Sequence, residues 1–115
     1  MLKYTMGSDG AFERRQMELA VMQDCPVSDV TEDDVVASYR RECDPKSDDP
    51  WMLEYLRLGV LAYRQGPHLF VHGGVHVHNI GTVPGVSGIT ADLDTWIAQL
   101  NSWKDAQLAD YEADP

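Results

Sequence analysis

The chain has 115 residues, 43% of them hydrophobic and 24% charged, with three tryptophans to bury. That is the composition of one small globular domain with a single core. Nineteen acidic residues against nine Lys and Arg give a formal net charge of −10, a surface that repels phosphate backbones and anionic lipid and so argues against nucleic-acid and membrane-surface roles.

Cys25 and Cys43 form no CxxC pair and read as reduced thiols. No apolar run approaches a membrane span, and the polar opening "MLKYTMGSDG" is unlike a signal peptide, so a cytoplasmic location is expected.

In chain order, the turn-like "GSDG" leads into "AFERRQMELAVMQD", which predicts a helix over Ala11–Asp24, stopped before Pro26 and burying Phe12, Leu19 and Ala20. A second helix is expected in "TEDDVVASYRREC", where Thr31 caps the free N–H groups and Glu32, Asp33 and Asp34 complement the positive end of the dipole. Its apolar face would carry Val35, Val36, Tyr39 and Cys43. After the loop Asp44–Pro50, "PWMLEYLRLG" predicts a short third helix ended by Gly59. "VLAYR" and "HLFVH", separated by Gln65-Gly66-Pro67, then read as a β-hairpin from about Val60 to Val71.

From Gly73 to Gly88 the chain, with five glycines and Pro84, reads as a loop. "TADLDTWIAQLNSWKDAQLADYEA" predicts a long helix over Thr90–Ala113, with Trp96, Ile97 and Leu100 on its buried face. The fold class is therefore α+β: about four helices plus one β-hairpin.

"LFVHGGVHVHNIGTVPG" places His72, His76 and His78 beside Gly73 and Gly74. Imidazole ligates zinc, iron, nickel or manganese when neutral. His72 ends a strand, which fixes its direction, and the two glycines leave room for a metal or phosphate to approach. His76 and His78 fall on one side if that piece is extended. No Cys partner and no HExxH helix stands near them, so spacing alone also allows three polar loop residues. His68, ahead of the second strand, reads as a surface residue.

Gly59–Gly85, "GVLAYRQGPHLFVHGGVHVHNIGTVPG", resembles the late histidine motif of calcineurin-like metallophosphoesterases, in which a hairpin delivers a histidine followed by Gly-Gly or Gly-Ala to a two-metal centre. Met1–Leu19 resembles the helical region that follows the Asn-containing motif in one subgroup, and "NIGTVPG" and "LDTWIAQLNSW" fit the same subgroup. The resemblance implies a hydrolase of phosphoesters that uses divalent metal ions (Mn, Fe or Zn), with His72 as a metal ligand and Gly73 and Gly74 as the tight backbone beside it. His76, Asn79 and Pro84 match recurring positions of the subgroup, and His76 and His78 are further candidate ligands. Two cations would clamp the phosphoryl oxygens and activate a bridging water.

The same family also uses an Asp-x-His motif, a Gly-Asp motif with a bridging aspartate, a Gly-Asn motif and later histidines. This sequence has no "GD", no "GN" and no Asp-x-His, and His78 is its last histidine. The chain is thus expected to be a partial phosphoesterase domain, with residues 1–58 a helical insertion and 59–115 the hairpin, histidine loop and terminal helix. Its partners would be a phosphoester substrate once the centre is completed, and another copy or another chain over its apolar faces. Two other readings stand beside this one: a small helical interaction module, and a mononuclear metal-binding protein that uses the histidine loop.

Overall fold

Residues 8–114 are described by a computed structural model; the first seven residues of the Met1–Leu19 resemblance lie outside them. The described residues form four α-helices and one two-stranded antiparallel sheet, an α+β architecture. They divide after Pro50 into two compact units.

In the first unit, helix α1 (Ala11–Met22) starts from Gly10, which holds φ +72°. It ends two residues before the expected Asp24. Asp24 adopts φ +52°, while its N–H bonds the carbonyl of Val21 at 3.3 Å and the N–H of Cys25 that of Ala20 at 3.0 Å. This double bond pattern closes a helix around a left-handed residue, a position usually given to glycine. A single 3-10 turn, Val27–Asp29, leads to helix α2 (Glu32–Cys43). Thr31 and Asp34 form a reciprocal capping box there, so Asp34 does more than complement the dipole.

Phe12, Leu19 and Ala20 of α1 pack with Val30 and Val35, flanked by Cys25, Val36 and Tyr39. Cys43, expected on the same face as Val35, is exposed. Arg15 joins the two helices: its guanidinium bonds Ser38 Oγ at 3.0 Å, Glu18 at 2.8 Å and the carboxylate of Glu42, and it lies over the Tyr39 ring.

The second unit contains helix α3 (Trp51–Leu58), strands β1 (Ala62–Gln65) and β2 (His68–Val71), and helix α4 (Leu93–Ala113). The strands pair in the register Ala62↔Val71, Tyr63↔Phe70, Arg64↔Leu69 and Gln65↔His68. The turn is thus Gly66-Pro67, with Gln65 inside the strand; Gly66 at φ +58° supplies the positive dihedral a two-residue hairpin needs.

Asp92 sets the start of α4 by accepting from the Thr95 N–H at 2.8 Å, three residues later than the expected Thr90. Trp96 is buried, whereas Ile97 and Leu100 are only half-buried. Asn101 fastens the hairpin to α4. Its Oδ1 accepts from the N–H groups of Leu61 at 2.9 Å and Ala62 at 3.3 Å, and its Nδ2 donates to the Ala62 carbonyl at 2.9 Å. Arg64 reaches both carboxylate oxygens of Asp94, at 3.1 and 2.9 Å.

Candidate functional site

The histidine loop inherits its geometry from the hairpin. The ladder runs one residue past β2, because the His72 N–H donates to the Leu61 carbonyl at 3.0 Å. The backbone of His72 is therefore held as firmly as a strand residue, while the residue itself is exposed. Beyond it the chain opens. Nothing lies within 4 Å of where a side chain at Gly73 would begin. At Gly74 a Cβ would stand 3.0 Å from Nε2 of His76, so the His76 ring closes over that glycine.

Asn79 builds the next turn. Its Oδ1 accepts from the His76 N–H at 2.7 Å and its Nδ2 donates to the Gly74 carbonyl at 2.9 Å. The amide thus satisfies two backbone groups that the irregular loop would otherwise expose. The loop is tied to α4 by the Trp96 indole N–H, which donates to the Thr82 carbonyl at 2.8 Å.

His72 stands at the junction of two surface cavities. One, of about 370 Å³, runs from Leu61 and His72 past Gly74 and Asn79 to Trp96 and Leu100. The other, of about 310 Å³, lies between Tyr55, Leu61, His72 and Leu108 and has Lys104 on its wall. Lys104 is already engaged by the Gly59 carbonyl at 3.0 Å and by Asp105 at 2.6 Å, so little of its charge is left for an anion.

His76 and His78 line a separate depression with Val75, Val77 and Ile80, of which His72 is not part. Exposed His68 occupies the first position of β2. Among the described residues no group of three or more His, Cys, Asp or Glu side chains is placed to hold a metal ion. The residues present therefore do not fit a two-metal centre, which needs several anionic and imidazole ligands and one that bridges. They offer one oriented imidazole at a glycine gap.

Sequence reasoning picks out the histidines and glycines but misses Asn101, which holds the backbone of Leu61 and Ala62 against which His72 is bonded. The available signal is a polar residue four positions after Ile97 and one after Leu100, on the face of a helix that otherwise turns apolar residues inward. No family model, no curated protein and no solved structure matches this chain.

Among the described residues no helix is long and apolar enough to cross a membrane.

Proposed function

We propose that this chain is a segment of a calcineurin-like metallophosphoesterase in which His72 serves as one metal ligand and which is not a catalyst by itself. The observation that supports this most directly is the placement of His72: locked onto Leu61 by the last ladder bond, then followed by the open backbone at Gly73. A ligand to a shared centre needs that combination of fixed direction and free approach. Mn, Fe or Zn are the cations its chemistry suits, and the cluster that would hold two of them is absent among the described residues.

The purified chain, given manganese or zinc, is expected to show no turnover of a generic aryl phosphate and to retain no metal after dialysis. The genomic DNA on either side of the coding region should encode, in frame, Asp-x-His, Gly-Asp and Gly-Asn segments, and the extended protein should hydrolyse phosphoesters in a manner lost on His72→Ala. Flanks without those segments, or turnover indifferent to His72→Ala, would overturn the proposal.

One observation favours a second reading, the interaction module. Leu58 (87% exposed), Val77 (85%) and Ile89 (77%) of the second unit are large apolar side chains open to solvent. Flanking DNA that lacks the missing motifs would favour it.

A further inference from the structure

The larger of the two cavities at His72 combines apolar walls with a few hydrogen-bond donors that have nothing to bond. Trp96, which is buried, lines it together with Leu61, Val71, Val75 and Leu100. Its volume of about 370 Å³ falls within the range of small-molecule sites, roughly 300–1,000 Å³.

Several polar groups on these walls already have partners. The Asn79 amide bonds His76 and Gly74, the Thr82 hydroxyl donates to the Asn79 carbonyl at 2.7 Å, and the Trp96 indole donates to the Thr82 carbonyl. The imidazole of His72 and the N–H groups of Gly73 and Gly74 do not: none of them bonds another described residue. An imidazole carries at least one N–H in either charge state. Nothing lies within 4 Å of where a Cβ at Gly73 would stand, so a ligand atom can come as close to the backbone there as a hydrogen bond requires.

We propose that this cavity binds an uncharged, largely apolar carbonyl compound, an aryl ketone or ester, whose oxygen accepts from His72, Gly73 and Gly74 and whose ring lies along Trp96 and Leu100. The three groups left over can all donate, so the polar atom they suit is an acceptor. A net charge of −10 repels a carboxylate or phosphate and favours a neutral carbonyl in their place. A sugar or nucleotide would bring many polar groups to walls that are mostly apolar and strand them there. A flat ring matches the indole of Trp96. His72 acts here as a hydrogen-bond donor, so the inference does not rest on the phosphoesterase reading.

Titration of the whole chain with acetylnaphthalene, ethylnaphthalene and naphthoate, with chelator present, tests it. The probes share one ring system and differ in carrying a carbonyl, no polar group and a carboxylate. In nitrogen–proton correlation spectra, acetylnaphthalene should shift the Gly73 and Gly74 amides and the Trp96 indole N–H saturably. Ethylnaphthalene and naphthoate should each bind about tenfold more weakly, as should acetylnaphthalene to His72→Ala. His72 is exposed, so circular dichroism of that variant should match the parent. Leu58→Ser, on the other cavity, should leave the affinity unchanged. Absence of saturable shifts, equal affinity for ethylnaphthalene, tighter binding of naphthoate, indifference to His72→Ala or loss of affinity in Leu58→Ser would each refute the proposal.

Discussion

Gly81 is where a single side chain meets the least tolerance. It holds φ +79°, and a Cβ there would fall 2.7 Å from both Ile89 Cγ2 and the Thr90 carbonyl oxygen. The Thr90 N–H in turn bonds the Gly81 carbonyl at 2.8 Å, so the two strands of this loop cannot separate without losing their closure. Gly81→Ala should destabilise the protein by about 2–4 kcal/mol, combining left-handed strain with overpacking; chemical denaturation would measure it. Asp24 presents the opposite case. It occupies φ +52° at the end of α1 with a side chain where glycine is usual, so Asp24→Gly should raise stability by about 0.5–1 kcal/mol. A fall in stability would mean that the Asp24 side chain makes a contribution beyond closing the helix.

The helices α2 and α4 share a weakness to acid. Hydrogen bonds from the side chain and then the backbone of Thr31 hold the Asp34 carboxyl below its ordinary pKa, and those of Thr95 do the same for Asp92. A carboxyl whose pKa is lower in the folded state stabilises that state above the unfolded value, about 3.9, and the contribution is lost as pH falls through the lowered value. The first turns of both helices should therefore loosen at acid pH, seen as faster amide exchange in residues 32–35 and 93–96. Thr31→Ala should remove about 1 kcal/mol at neutral pH and abolish the acid response of α2 alone.

These starts also mark what could be read in advance. Thr31 and the acids after it are local signals, and α2 begins where they place it. The start of α4 was legible only to within a turn, because Thr90, Asp92 and Asp94 all suit a cap and the choice falls to the bond from Asp92 to Thr95. The hairpin is legible from its residue types, and its exact turn is set by the positive φ of Gly66. The support beneath His72 is not: Asn101 lies 29 positions along the chain from it, and only the folded unit brings its amide to Leu61 and Ala62. The separation of His72 from His76 and His78 was likewise invisible, since it depends on how Asn79 folds the loop.

At the scale of the whole molecule, charge governs behaviour. With a net charge of −10 at neutral pH and an isoelectric point near 4.5, copies repel one another until the solution is acidified. The charge vanishes before the capping carboxyls titrate, so loss of solubility should precede unfolding: turbidity should peak near pH 4.5 while circular dichroism is still native. Unfolding that precedes turbidity would contradict this order. The amide of Asn101 has a further consequence for assembly. It occupies both outward groups of Ala62, so among the described residues β1 offers a neighbouring strand no complete docking edge. A sheet closed on that side cannot add strands along both edges, so edge-to-edge growth into a fibril is blocked at β1. Asn101→Ala should leave the Leu61 and Ala62 backbone groups without their amide partner and destabilise the protein by about 1–3 kcal/mol, measured by chemical denaturation.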